Sequence, residues 1–350
     1  MSSRYTFTIT TLLLAGTLSA QAATGDTSKL RPAIITEPVQ YDTDDPAIWI
    51  NAADPAKSLV IGTDKDSNGA LYAFDLQGRI VNKVTGLQRP NNVDLAYGLL
   101  LNGQRTDIAI LTERLTNKLR IYRLPDLAPI DNGGIPVFEG EKERAPMGIA
   151  IYTRPADTVL FAIAGRKSGP ANEYLWQYRL GDNGKGQVSA TLVRKFGKYS
   201  GKKEIESIAV DNELGYIYYS DEQYGIHKYA ADPASGNTEL ALFGQRDFLE
   251  DIEGISIYKH KDGSGYLLVS DQQANKFNVY PREGSSGKPN EHRLITAIPV
   301  STIESDGSEV SAVALGQQFP QGLFVAMSNG RVFHFYDWRA IQARIDKALQ

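Results

Sequence analysis

A unit of about fifty residues recurs six times along this chain, and few architectures can accommodate such a repeat. Each unit holds an apolar strand, a turn, a second and very apolar strand, a polar loop, and a third strand ending on an aromatic side chain. With these strands written A, B and C, the B strands read Leu59-Val60-Ile61, Ile108-Ala109-Ile110, Leu160-Phe161-Ala162, Tyr216-Ile217-Tyr218, Tyr266-Leu267-Leu268 and Leu323-Phe324-Val325. The C strands close at Phe74, Tyr122, Tyr178, Tyr229, Tyr280 and Phe335, so successive closures lie 48, 56, 51, 51 and 55 residues apart. Short strands at that period build propeller blades rather than helical solenoids. The expected fold is all-β, a six-bladed β-propeller.

A fourth, outer strand D is expected in five units, around Ile80 to Val84, Leu127 to Val137, Val188 to Phe196, Glu239 to Phe243 and Leu294 to Pro299. The sixth unit has none. After Phe335, Trp338, Ile341, Ile345 and Leu349 fall at helical spacing and predict a short amphipathic C-terminal helix. An open blade edge would expose unpaired backbone groups, and Ala33 to Val39 is the natural donor of the missing strand. Closure by both ends makes residues 24–350 a single domain.

Met1 to Ala23 carry one basic residue, an apolar stretch around Thr11 to Ala15 and the small-residue pattern Ala20-Gln21-Ala22, which reads as a cleavable export signal. The apolar run is far shorter than the ~20 residues a spanning helix needs. A secreted or periplasmic protein is expected. The formal charge of −4 gives no encouragement to nucleic-acid or anionic-membrane binding. With no cysteine in the chain, disulfides, thiolate metal ligands and a cysteine nucleophile are excluded.

Because neighbouring blade strands run antiparallel, the start of A and the B to C loop lie on one face. The A starts carry Asp44 and Asp45, Asn92 and Asp94, Met147, Glu206, Asp251 and Glu253, and Asp306 and Glu309, so five of six units place an acid there. The B to C loops carry Asp64-Lys65-Asp66, Glu113-Arg114, Arg166-Lys167, Asp221-Glu222, Asp271-Gln272 and Ser328-Asn329. Any one such acid serves equally well as a turn residue; the convergence of five units on one mouth carries the inference. So many carboxylates need a cation among them, and oxygen donors without His or Cys select a hard ion such as Ca²⁺. Lys65, Arg114, Arg166 and Lys167 add anion-binding power. A calcium site beside cationic side chains suits a highly phosphorylated ligand. His227 and His334 fall in C strands, His260 in an A to B turn and His292 at the start of a D strand, positions that speak against a zinc site or histidine base. Neither a Gly-x-Ser-x-Gly elbow nor a phosphate loop of the Gly-x-x-x-x-Gly-Lys type occurs.

Four stretches resemble the β-propeller phytases: Asp44-Asp45-Pro46-Ala47-Ile48-Trp49, Asn91-Asn92-Val93-Asp94, Asp251-Ile252-Glu253-Gly254 and Phe319-Pro320-Gln321-Gly322-Leu323-Phe324-Val325. The resemblance implies several bound calcium ions and removal of phosphate from phytate by direct attack of a calcium-bound water, with no covalent intermediate. It implies Asp45, Glu206, Glu222, Asp251, Glu253 and Asp306 as calcium ligands with Asp44 and Asp94 close by. Lys65, Arg114 and Arg166 become phosphate-binding cations, flanked by Lys167, Asn92 and Gln272, and Glu206, Glu253, Lys65 and Arg114 become the catalytic set. Departures from the family pattern fall at Asp66, Met147, Arg166, Ser207 and Ser328. They keep a second reading open, a non-catalytic calcium-binding propeller that holds a phosphorylated ligand or a protein partner. A third, a propeller hydrolase of lactones or sugars, leaves the loop cations without a purpose. The expected enzyme is a monomer acting on a small molecule.

Overall fold

In the computed structural model, which describes residue 1 and residues 29–350, the chain folds into six four-stranded antiparallel sheets. The expected export signal, save for Met1, lies outside the described residues. Blade 1 comprises Thr43–Trp49, Leu59–Asp64, Gly69–Phe74 and Ile80–Leu87; blade 2, Pro90–Leu101, Gln104–Glu113, Lys118–Arg123 and Ile135–Pro136. Blade 3 comprises Pro146–Thr153, Leu160–Arg166, Asn172–Asp182 and Val188–Lys198; blade 4, Ile208–Asp211, Tyr216–Asp221, Gly225–Ala230 and Glu239–Phe243. Blade 5 comprises Ile252–Lys259, Gly265–Asp271, Lys276–Pro281 and Thr296–Pro299. Blade 6 has Ser308–Ser311, Leu323–Ser328 and Val332–Asp337, and Ile34–Ile35 adds its outer strand.

Stacking explains the continuous apolar B strands. Each blade packs on a neighbour on both faces, so both sides of its central strands are buried and no alternation survives. Six separate clusters of buried side chains fill the six junctions between adjacent blades. The ring closes as expected: Ile34 pairs with Phe335 and Ile35 with His334, and the Ala33 and Thr36 amides donate to Phe335 and Phe333. Leu30 also bridges Val300 of blade 5, so the incoming chain ties two blades together.

Two local expectations change, and the expected C-terminal helix is met. The outer strand of blade 2 shrinks to Ile135–Pro136, because Pro125, Pro129 and Pro136 lack the amide a ladder needs and Gly133-Gly134 form a turn. His292 lies in the long loop before Thr296–Pro299 rather than opening that strand. The helix Trp338–Leu349 forms, capped by Asp337 on the Arg339 amide. It buries Trp338, Ile341 and Ile345 and leaves Leu349 exposed. Trp338 stacks on Tyr258 with ring centroids 3.6 Å apart, and no helix among the described residues is long and apolar enough to cross a membrane.

Candidate active site at the channel mouth

The inner strands of blades 1, 2, 3 and 5 share a defect at one position. Their pairing slips between Thr43 and Pro46, Pro90 and Val93, Pro146 and Ile149, and Ile252 and Ile255. A bulge frees two residues from the ladder and re-aims their side chains. Here it frees Asp44 and Asp45, Asn91 and Asn92, Met147 and Gly148, and Glu253 and Gly254. Bulged residues meet the backbone of the adjoining blade closely: a Cβ on Gly148 would sit 2.1 Å from the Glu206 carbonyl oxygen, and one on Gly307 would sit 2.7 Å from the Asp44 carbonyl oxygen. Glycine at both positions lets successive inner strands draw together around the channel.

Three groups of charge meet at the mouth. Lys65 pairs with Asp44 and, at 2.8 Å, with Asp306 Oδ2, and Gln272 donates to the other Asp306 oxygen. Burial opposes the Lys65 charge, yet Asp44, Glu206 and Asp306 together hold its proton well above the ordinary lysine range. In the second group, Asn91 Nδ2 donates to Glu206 Oε1 at 2.6 Å, and Arg114 Nη1 donates to Asn91 Oδ1 at 3.2 Å. The third joins Glu222, Asp251 and Glu253, whose carboxylate oxygens lie within 4.8 Å of one another, as do those of Glu204, Glu206 and Glu222. Lys203 reaches Glu222 at 2.7 Å and Asp251 at 2.6 Å. Burial first, then Glu222, Glu206 and Asp306, raises Glu253 well above the usual carboxylate range. Burial likewise pushes Glu222 up to about 8 against the opposing pull of Lys203. Asp251 is lowered despite its burial, by hydrogen bonds from Lys203, Gln223 and Gln273.

Other expected acids sit inside the channel. Inner strands of all six blades line a cavity of about 280 Å³ that includes Asp45, Asn92, Asp94 and Glu309. Asp45 Oδ2 accepts the Val93 amide at 3.0 Å, Asp94 Oδ2 accepts the Ile151 amide at 2.6 Å, and Ser207 Oγ accepts the Ile255 amide at 2.8 Å. Each side chain thus clasps the inner strand of the next blade. Burial raises Asp94 to about 7 and, with Asp94 as neighbour, Glu309 to about 8. Asn92 is buried, and its Oδ1 accepts from Asn91 at 2.9 Å.

Arg166 does not reach the mouth, and the expectation of a phosphate contact there is corrected. Its side chain is 1% exposed, with Nη1 held 3.2 Å from Glu141 Oε2. Its Nη1 also donates to the Glu143 carbonyl and its Nη2 to the Glu173 carbonyl, and Phe138 lies under the guanidinium at 4.8 Å. It is a strut within blade 3. Lys167 is exposed and pairs with Glu204. Asp66 Oδ1 accepts the Asn68 amide at 2.9 Å and closes its own turn. Ser328 Oγ accepts the Ile303 amide at 3.0 Å, so hydrogen bonding completes the last B to C loop.

Lys203, Glu204, Gln223 and Gln273 went unforeseen, and Asn91 entered only as part of a motif. A signal for some of them existed: Lys203-Glu204-Ile205-Glu206 is charged just ahead of an expected mouth acid. Sequence alternation cannot show bulges, and these decide which of two adjacent polar residues faces the mouth.

The chain matches the profile of the family described as Phytase over residues 4–340. It is 31% identical over 298 residues to a 3-phytase from Bacillus subtilis (strain 168), covering 83% of this chain and 75% of that one. Two solved structures are more distant. One, described as the Dos1 propeller, has a TM-score of 0.44 and 13% identity over 85% of this chain and 68% of that one. The other, BBS1N in complex with ARL6DN, has a TM-score of 0.49 and 11% identity over 87% of this chain and 78% of its own. Neither bears on function.

Proposed function

The chain belongs to the phytase family, and we propose that it is an exported, monomeric, calcium-dependent enzyme that hydrolyses phosphate monoesters of phytate at the channel mouth. The observation that carries the calcium requirement is a buried carboxylate cluster: oxygens of Glu222, Asp251 and Glu253 converge within 4.8 Å, and Glu222 Oε1 has no partner. Burying such atoms is costly unless something cationic satisfies them. The donors are all oxygen, as a hard cation prefers. Glu204, Glu206, Glu222, Asp251 and Glu253 would hold calcium, with Asp44 and Asp306 on the other side of the mouth. When bound, calcium supplies positive charge that polarises phosphate oxygens and acidifies water.

The chain's own residues do the rest. Lys65 and Arg114 stand on either side of the acids and bind phosphate oxygens, the guanidinium through paired donors. Asn91 fixes Arg114 relative to Glu206, and Gln272 fixes Asp306 beside Lys65. Glu253 Oε2 is the unpartnered atom placed to take the proton of attacking water. Phosphate leaves as the alcohol oxygen of the inositol ring takes up a proton.

Substituting Glu206→Gln or Glu253→Gln keeps shape and removes charge. Phosphate release from phytate should fall by about 100-fold or more in each. Full turnover in both variants would defeat the proposal. A second reading, a propeller that holds a phosphorylated ligand without turning it over, is favoured by the withdrawal of Arg166 from the mouth. Tight phytate binding with no phosphate released by the unaltered chain would establish it.

A further inference from the structure

Lys203 occupies the place where a cation and the acids would meet. Its ammonium contacts Glu222 and Asp251, two of three acids whose oxygens converge within 4.8 Å. The residue comes from the connection between Lys198 and Ile208, outside any strand, and bridges the Glu222 loop of blade 4 to the inner strand of blade 5. At 37% side-chain exposure it has an open route to solvent. The ammonium meets Glu222 through Oε2 alone, which leaves Glu222 Oε1 and Glu253 Oε2 without a partner. The lysine charge compensates the group without satisfying it.

We propose that Lys203 is a tethered competitor of the divalent cation, one that neutralises Glu222 and Asp251 in the metal-free chain and is expelled towards the open mouth when a cation takes those oxygens. The inference rests on the calcium reading above. A single charge and a double charge cannot both sit within about 3 Å of the same two oxygens, because their mutual repulsion grows as the reciprocal of distance. The lysine is the partner that can move, since its stem is flexible and its head strongly hydrated. Expulsion adds a positive charge at the rim, beside Lys167 and Glu204, where an incoming phosphate would find it. It also weakens cation binding relative to a mouth without the lysine.

Two measurements on the full chain, depleted of metal and then given calcium, test this without recourse to turnover. In the first, acetylation of individual lysines is timed by mass spectrometry, with exposed Lys185 and Lys347 as internal references. Lys203 should react several-fold faster with calcium present while the references stay constant. In the second, calorimetric titration should show Lys203→Gln binding calcium about tenfold more tightly than the unaltered chain, with Lys203→Arg unchanged. If calcium binds but Lys203 reactivity stays level or falls, the competitor role is wrong and the calcium reading stands. If neither the unaltered chain nor Lys203→Gln binds calcium, the calcium reading falls and takes this inference with it. Should Lys203→Gln fail to fold without metal, the acetylation rates of the unaltered chain decide alone.

Discussion

Gly148 carries more of the site than its missing side chain suggests. Its α-carbon faces the Glu206 carbonyl, which a Cβ would approach to 2.1 Å, and backbone on both sides leaves little freedom to yield. Gly148→Ala should therefore displace Glu206, lower stability by about 1–3 kcal/mol and cut phytate turnover in step. Thermal unfolding and phosphate release measured on the same sample check this; unchanged values would show that the inner strands can part without harm. Arg166 teaches the opposite lesson about single residues. Its basic character and loop position pointed to the mouth, but Phe138, Tyr174 and Trp176 surround its guanidinium. Tyr174 and Trp176 come from the next strand of the blade, Asn172–Asp182, and Phe138 from the connection that precedes the blade, so the residues around Arg166 itself could not announce the cage.

Strands, loops and their histidines govern the response to acid. His292 donates through Nδ1 to the Pro281 carbonyl at 2.8 Å and meets Lys228 Nζ at 3.2 Å through Nε2. It therefore ties the loop before Thr296–Pro299 to blade 4 only while neutral. Burial first, and the Lys228 charge with it, lowers His292 from 6.5 to about 4. Burial alone does the same for His334 in blade 6. Both imidazoles bind protons more readily in the unfolded chain, so their contribution is complete above about pH 6.5 and is lost as pH falls towards 4. The loss should be on the order of 1–3 kcal/mol for each, allowing for partial exposure. A His292→Gln, His334→Gln double variant should show a shallower fall in Tm between pH 6.5 and 4. An equal fall in both proteins would place the acid response elsewhere.

Blade order and closure were legible because they depend on long-range repetition: aromatic closures at a steady interval, an edge without a partner, and a segment able to supply one. The face of the site was legible for the same reason, since antiparallel strands fix where loops emerge. Depth along the channel was not. Asp45 and Asp94 look like mouth acids in sequence, whereas each accepts an amide from the inner strand of the next blade and so clasps two blades together. Lys203 was hidden because its importance comes from carboxylates on two other segments.

The whole ring is coupled through these clasps and through the chain ends. A cation that binds acids from blades 4 and 5 together should stabilise the propeller by mass action, by about 2.7 kcal/mol at a hundredfold excess over its Kd. Tm should therefore fall on chelation and recover with calcium. An unchanged Tm would detach the metal from the fold. The most direct measurement is inorganic phosphate released from phytate by one preparation, first thoroughly chelated and then restored with calcium. Release should be absent or nearly so after chelation and return on calcium addition. Undiminished release by the chelated protein, or none under either condition, would contradict calcium-dependent hydrolysis at this mouth.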